Sequence, residues 1–185
     1  MRRRGLATFD RDRGRYGVAA PLVRQRAAGS RGAGGRGSER VRRAVILLDT
    51  SGLLAAIDGS QRRHADTRRA LEAAAPPWSL SPFVLAELDD LLATRVSQEA
   101  ERAFLAEVAR GVYRLETFDA EDVEAAERLI GRYRALEIGL ADASLVVLAN
   151  RYGVRDLLTL DEHHFRTLRG PGGRPFRLLP ADSRG

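Results

Sequence analysis

The sequence contains no cysteine and no lysine. Without cysteine, the chain cannot build a disulfide framework, a cysteine-ligated zinc site or a thiol nucleophile. The same absence fits a reducing compartment, and we expect the protein in the cytoplasm. All 31 basic residues are arginine, a bias that we interpret as genomic base composition rather than as a sign of function.

Long apolar runs and phosphate-binding loops are also lacking. The best apolar run in the first 43 residues, VAAPLV at 18–23, is short and interrupted by Pro21. It suits neither the apolar region of a secretory signal nor a membrane span, so we predict no membrane segment. The sequence has no glycine-rich loop of the P-loop type, which argues against that class of nucleotide-binding site.

Positive charge is concentrated in the first 43 residues. This segment holds 13 of the 31 arginines against three acidic residues, whereas the remainder of the chain is net acidic. Its apolar residues are sparse and follow no period, so it cannot bury enough surface to offset the entropy of ordering. We predict a disordered Arg/Gly-rich extension over residues 1–43 and one folded domain over residues 44–181, a usual size for a single core.

Three interpretations of the extension stay open. It could be a nonspecific RNA-binding arm, an inert extension, or the product of a mis-assigned start codon. We favour the last two, because the folded pattern begins near Val45 and a valine codon can serve as a start in GC-rich bacteria.

Short apolar runs alternate with helical patterns from residue 44 onward. The first run, at 44–49, is too short for a helix and continuously apolar up to Asp49, which is typical of a strand covered on both sides. The alternation predicts an α/β fold, a three-layer α/β/α sandwich with a central parallel sheet of four to five strands. The predicted strands are 44–49, 78–80, 112–116, 156–161 and 175–180.

The helices between these strands have recognisable ends. Ser81 before a proline, Ser97 and Asp119 are typical N-caps, and Gly153 is a typical C-terminal glycine. We also expect Thr50 and Ser51 to cap the helix that follows the first strand. The further helices are predicted over 61–74, 97–109 and 139–152.

Four acidic residues occupy unusual positions in this pattern. Asp49 and Asp161 each close a buried strand, and Glu87 and Asp142 lie inside apolar helices. Because ligands bind beyond the carboxyl ends of parallel strands, these four carboxylates can meet at one edge of the sheet. Grouped carboxylates repel one another unless a cation is present, and an all-oxygen cluster suits Mg²⁺ or Mn²⁺.

Such a cation activates water and stabilises charge on a phosphate oxygen, which fits phosphodiester hydrolysis. Ser51 and Thr159 lie two residues from Asp49 and Asp161 and could orient water or a phosphate. Each carboxylate taken singly also has a structural interpretation. Asp142 could be a helix cap, and Glu87 a solvated helix residue.

The four segments LLDTSGLLA, SPFVLAELD, GLADASLVVLA and LTLDEHHF resemble, in that order, the acidic motifs of PIN-domain ribonucleases, and most closely those of VapC-type toxins. The resemblance extends over residues 45–180. It implies a PIN-like fold in which Asp49, Glu87, Asp142 and Asp161 bind Mg²⁺ or Mn²⁺. It also implies cleavage of structured RNA such as tRNA or rRNA, inhibition by a VapB-type antitoxin, and a homodimer.

Other functions fit the sequence less well. The Asp-Thr-Ser-Gly run at Asp49 differs from the aspartic-protease motif by one inserted residue and occurs once. Ser51 lacks the surroundings of a hydrolase nucleophile, and it also stands where an Asp-x-Asp phosphatase needs its second acid. A non-catalytic RNA- or protein-binding module on the PIN scaffold remains the alternative, although no acidic motif position is missing.

Histidines and arginines supply the remaining candidates. His163 and His164 cannot form a closed zinc site without added carboxylates; we expect them to face solvent, or else to touch RNA from beside Asp161. Arginines in the 61–74 segment are interpreted as a solvated helix face or, alternatively, as a phosphate-contacting rim. These arginines are Arg62, Arg63, Arg68 and Arg69.

Overall fold

The computed structural model of the protein describes residues 7–10, 15–18, 46–74, 76 and 78–183. Within these residues there are seven strands and seven α-helices. The strands are β1 (Ala7–Asp10), β2 (Arg15–Val18), β3 (Ile46–Leu48), β4 (Trp78–Leu80), β5 (Tyr113–Leu115), β6 (Asp156–Leu158) and β7 (Arg177–Leu179). The helices are α1 (Thr50–Ile57), α2 (His64–Ala73), α3 (Pro82–Arg95), α4 (Gln98–Ala109), α5 (Ala120–Arg132), α6 (Leu140–Tyr152) and α7 (Glu162–Thr167).

Five strands form an all-parallel sheet in the order β5-β4-β3-β6-β7. The strands β3 and β4 are buried at every residue, because helices cover both faces of the sheet. Leu47, Leu48, Leu157 and Leu158 are fully buried in the two central strands. The predicted α/β/α architecture with a parallel sheet is therefore confirmed, and the sheet has five strands.

The central strands are shorter than predicted, and the difference places the acidic residues. β3 ends at Leu48 and β6 ends at Leu158. Asp49 and Asp161 then act as N-cap residues of α1 and α7. Each aspartate thus leaves the sheet ladder and stands at the carboxyl edge, where a chain turn gives its side chain access to neighbouring segments.

Most predicted helix ends are confirmed. The side chains of Ser81, Ser97 and Asp119 accept backbone N–H groups of α3, α4 and α5, and Gly153 ends α6 with a positive φ of 66°. The prediction that Thr50 and Ser51 cap this helix is wrong, because α1 already begins at Thr50. Asp49 occupies the N-cap position, and the Ser51 side chain turns back towards it.

One glycine allows α1 to approach β6. A Cβ atom at Gly52 would lie 2.4 Å from the carbonyl oxygen of Leu158, a separation that no side-chain carbon tolerates. The backbone N–H of Asp49 also donates to the Leu158 carbonyl, at 3.0 Å. The glycine in the Asp-Thr-Ser-Gly run is therefore required by the close contact between α1 and the neighbouring strand.

Two short strands lie within the predicted extension. The strands β1 and β2 pair antiparallel, with Ala7 opposite Val18 and Asp10 opposite Arg15. The rest of the predicted extension lies outside the described residues. No helix in the described parts of the chain is long and apolar enough to cross a membrane.

Candidate metal centre

The four predicted carboxylates converge around Asp142, at the carboxyl edge of the sheet. Strand order brings Asp49 and Asp161 together, since β3 and β6 are adjacent, and α3 and α6 supply Glu87 and Asp142. Asp142 interacts electrostatically with each of the other three carboxylates. Residues that are far apart in sequence thus form one acidic cluster.

Asp49 is the most buried member of the cluster, with 5% of its surface exposed. Its Oδ2 accepts hydrogen bonds from Ser51 Oγ at 2.5 Å and from Thr159 Oγ1 at 2.7 Å. Burial raises the pKa of Asp49 to about 6 in spite of these hydrogen bonds, and the negative charge of Asp142 adds to the rise. The carboxylate is therefore held in place by its hydrogen bonds, while burial disfavours its charged form.

Ser51 and Thr159 also fix the segment that carries Asp161. Ser51 Oγ accepts the backbone N–H of Leu160 at 2.9 Å, and Thr159 Oγ1 accepts that of Asp161 at 2.9 Å. Each hydroxyl donates to Asp49 and accepts from the chain leading into α7. The structure thus places both predicted supporting residues between the two strand-end aspartates.

Asp142 lies in the first turn of α6, where its Oδ2 accepts the backbone N–H of Gly139 at 3.2 Å. It is therefore a helix-capping residue as well as a member of the cluster, and the two interpretations are compatible. Burial raises the pKa of Asp142, and the charges of Asp161 and Glu87 raise it further, while Gly139 and His164 oppose the rise. Asp49 and Asp142 thus each favour either a proton or a nearby cation.

Glu87 projects from the exposed side of α3 and is tied to the cluster by a residue that sequence analysis missed. Thr50 Oγ1 donates a hydrogen bond of 2.7 Å to Glu87 Oε2. Thr50 is 5% exposed and directly follows Asp49, so it links the two carboxylate-bearing segments. In the sequence, the position of Thr50 next to Asp49 is the signal that it belongs to the site, but a hydroxyl at the start of a helix also predicts a cap.

His164 is the second residue whose role sequence analysis missed, because it was expected to face solvent or to touch RNA. Its side chain is 23% exposed, and Nδ1 lies 2.9 Å from Asp161 Oδ2 and 3.3 Å from Asp142 Oδ2. Nδ1 is buried and makes no hydrogen bond with the described residues, although it lies within ion-pair distance of both carboxylates. His163, by contrast, is exposed.

A buried pair of serines connects the two carboxylate-bearing helices. Ser81, the N-cap of α3, and Ser144 of α6 are both fully buried, with their Oγ atoms 2.7 Å apart. Ser144 Oγ donates to the carbonyl of Ala141, so the hydroxyl of Ser81 is the donor to Ser144. This contact holds the start of α3 against the first turns of α6, next to Asp142.

The four predicted phosphate-contacting arginines do not lie on one helix. Arg62 and Arg63 lie in the turn before α2, because α2 begins at His64 rather than at residue 61. Three of the four pair with acidic residues of the same segment: Arg63 and Arg69 with Asp66, at 3.2 Å and 3.0 Å, and Arg68 with Glu72, at 2.7 Å. These pairs favour the solvated-face interpretation.

The donor set fits a divalent cation. One ligand atom each from Asp142, Asp161 and His164 lies within 4.8 Å of the others, and Asp49 and Glu87 border the same cluster. Hard carboxylate oxygens are typical ligands of Mg²⁺ and Mn²⁺. The buried and unsatisfied Nδ1 of His164 and the raised pKa of Asp49 are both consistent with a position that a cation fills.

The PIN domain family matches residues 46–170 of this chain. This chain belongs to the PIN domain family. The match includes all four acidic motifs, so the family predicted from them is confirmed. The chain is also 44% identical over 135 residues to Ribonuclease VapC26 of Mycobacterium tuberculosis (strain ATCC 25618 / H37Rv), and this alignment covers 73% of this chain and 100% of that protein.

Two solved structures resemble this chain to different degrees. The crystal structure of Mycobacterium tuberculosis VapC20, a sarcin-ricin loop cleaving toxin, matches with a TM-score of 0.60 and 26% identity, covering 63% of this chain and 90% of that chain. A toxin-antitoxin complex from Klebsiella pneumoniae matches with a TM-score of 0.46 and 20% identity, covering 60% of this chain and 82% of that chain.

Proposed function

We propose that this PIN-domain protein is an endoribonuclease of the VapC toxin type and that it requires Mg²⁺ or Mn²⁺. The observation that carries the proposal is the convergence of four carboxylates on Asp142 at the carboxyl edge of the sheet. The relationship to Ribonuclease VapC26 over the whole length of that protein supports RNA as the substrate.

The residues of the cluster have separate tasks in this proposal. Asp49, Glu87, Asp142 and Asp161 would hold the cation, which when bound activates water and stabilises charge on a phosphate oxygen. Ser51 and Thr159 fix the orientation of Asp49 and Asp161 through their hydroxyls. Thr50 fixes Glu87 in the same way. Pre-oriented carboxylates reduce the reorganisation needed when the substrate binds.

We further propose a structured RNA, tRNA or rRNA, as the target. The partners that we propose are a VapB-type antitoxin and a second copy of the chain, in the cytoplasm. Residues 44–181 would form the nuclease domain, and the extension would not be required for cleavage. Co-expression with the product of a neighbouring short gene tests the antitoxin, and light scattering on the purified protein tests the homodimer.

Cleavage of purified total RNA tests the proposed activity. Wild-type protein and Asp49→Asn are incubated with Mg²⁺, Mn²⁺ or EDTA, and Asp90→Asn serves as a matched control because Asp90 lies on the exposed face of α3. We expect discrete fragments from the wild type and the control, with either metal and not with EDTA, and none from Asp49→Asn. Mapping the fragment ends identifies the target RNA.

Two results would contradict the proposal. Equal cleavage by Asp49→Asn would show that Asp49 is not part of the nuclease centre. No cleavage by folded, antitoxin-free wild-type protein with any metal would instead favour the non-catalytic binding module.

A further inference from the structure

The imidazole of His164 is directed into the acidic cluster rather than towards solvent. Its Nδ1 atom lies near Asp161 Oδ2 and Asp142 Oδ2 and makes no hydrogen bond with the described residues. A buried ring nitrogen without an aligned partner is costly in a folded protein. A cation bound beside Asp142 and Asp161 would give His164 Nδ1 a partner.

We propose that His164 is a nitrogen ligand of the divalent cation, bound through Nδ1 beside Asp142 and Asp161. The inference rests on the proposed function, because it adds a ligand to the same centre. It also changes the expected chemistry of that centre from purely oxygen ligands to a mixed set of oxygen and nitrogen ligands.

The observed spacings suit neighbouring ligands of one cation. In an octahedral site with bonds of about 2.1 Å, adjacent ligand atoms lie about 3.0 Å apart. Nδ1 of His164 lies 2.9 Å and 3.3 Å from the two carboxylate oxygens. Each carboxylate oxygen therefore lies at about the distance from Nδ1 that is expected of an adjacent ligand in one coordination shell.

The local structure holds the ring in this position. Asp161 caps α7 by accepting the backbone N–H of His164 at 2.9 Å. The next residue, Phe165, is 1% exposed and packs edge-on against Phe176, with ring centroids 5.9 Å apart. Because Phe165 anchors α7 in the core, the helix cannot rotate freely, and His164 faces the acids while His163 faces outward.

An imidazole ligand alters the choice of metal. Mg²⁺ strongly prefers oxygen ligands, whereas Mn²⁺ and the later first-row metals also bind imidazole. His164 should therefore raise affinity for Mn²⁺ more than affinity for Mg²⁺. If His164 instead acted as a positively charged substitute for the metal, its removal would leave Mn²⁺ affinity unchanged or increase it.

Mn²⁺ binding to the full chain tests the inference without reference to RNA cleavage. Pulsed electron paramagnetic resonance detects a nitrogen ligand on bound Mn²⁺, and calorimetric titration gives the affinities for Mn²⁺ and Mg²⁺. The variants are His164→Ala and, as a matched control, His163→Ala, which removes the adjacent exposed imidazole. Circular dichroism verifies that each variant is folded.

We expect a nitrogen signal from the wild type and from His163→Ala, and its loss in His164→Ala. The Mn²⁺ affinity of His164→Ala should fall about ten-fold or more, with a smaller change for Mg²⁺. The inference is overturned if the wild type binds Mn²⁺ without a nitrogen signal, binds no Mn²⁺, or keeps its Mn²⁺ affinity in His164→Ala.

The same experiment separates this inference from the proposed function. If the wild-type protein cleaves RNA but shows no nitrogen signal, the proposed nuclease activity stands and His164 is excluded as a metal ligand. If the nitrogen signal is lost in His164→Ala but the wild-type protein cleaves no RNA under any condition, His164 stands as a metal ligand and the proposed nuclease activity is excluded.

Discussion

Replacing Asp49 by asparagine should make the metal-free protein more stable at neutral pH, although it removes a proposed metal ligand. Burial raises the pKa of Asp49 from 3.8 to about 6, so the folded state binds this proton more tightly than the unfolded state does. The stability that this carboxyl contributes is fully present below about pH 3.8 and is lost as the pH rises through about 6.

The magnitude follows from the difference between the two pKa values. At about 1.36 kcal/mol per pH unit, a rise from 3.8 to about 6 corresponds to a loss of about 3 kcal/mol above pH 7. Asparagine keeps an oxygen that can accept from Ser51 and Thr159 and carries no charge. Asp49→Asn should therefore recover most of this free energy when no metal is present.

Urea denaturation in EDTA measures the effect, at about pH 5 and about pH 7.5, on the wild type, Asp49→Asn and the exposed control Asp90→Asn. The difference between Asp49→Asn and wild type should grow in favour of the variant by about 1.4 kcal/mol between the two pH values, because part of the full effect is already lost at about pH 5. Comparing the two proteins at each pH cancels the titration of groups that they share. The control should follow the wild type.

Two results would refute this reasoning. Asp49→Asn could be less stable than the wild type at about pH 7.5, which would mean that the Asp49 carboxylate is stabilised by its hydrogen bonds rather than strained by burial. Alternatively, the difference could be the same at both pH values, which would mean that the Asp49 carboxyl does not change its protonation state in this range.

Three further substitutions test how the centre is held together. Gly52→Ala should destabilise the fold by about 3 kcal/mol in urea denaturation, because its Cβ would lie 2.4 Å from a β6 carbonyl oxygen; an unchanged midpoint would contradict this close contact. Ser144→Ala should cost about 1–3 kcal/mol, since it leaves the buried Ser81 hydroxyl without its acceptor, and an unchanged stability would contradict this role of the serine pair. Thr50→Val should lower Mn²⁺ affinity about ten-fold in calorimetric titration, because Glu87 loses the donor that orients it; equal affinity would exclude that positioning role.

Much of the fold could be predicted because its signals are local. Apolar runs identify the strands, and a serine or aspartate before a helical pattern identifies a cap, as at Ser81, Ser97 and Asp119. The same local logic was wrong at Thr50 and Ser51, whose hydroxyls bond to Glu87 and Asp49 instead of to the helix amides. These hydroxyls therefore bond to carboxylates of the cluster and not to the backbone of their own helix.

The candidate centre was predictable in composition and not in geometry. Asp49 and Asp161 stand out in sequence because a burial-driven strand has no reason to end on a carboxylate. They are linked through Thr159, whose hydroxyl reaches Asp49 across 110 residues of chain and accepts the backbone N–H of Asp161. This link depends on β3 and β6 being adjacent. No periodicity in the sequence specifies that strand order.

The sequence by itself determined the parallel α/β architecture and the four acidic residues, because burial patterns and residue types are properties of the chain. Only the tertiary structure decided that His164 faces the acids while His163 faces outward, since the buried Phe165 sets the rotation of α7. It also decided that Arg63, Arg68 and Arg69 are paired with nearby acids. Side-chain direction depends on what each helix packs against, and that information is not local.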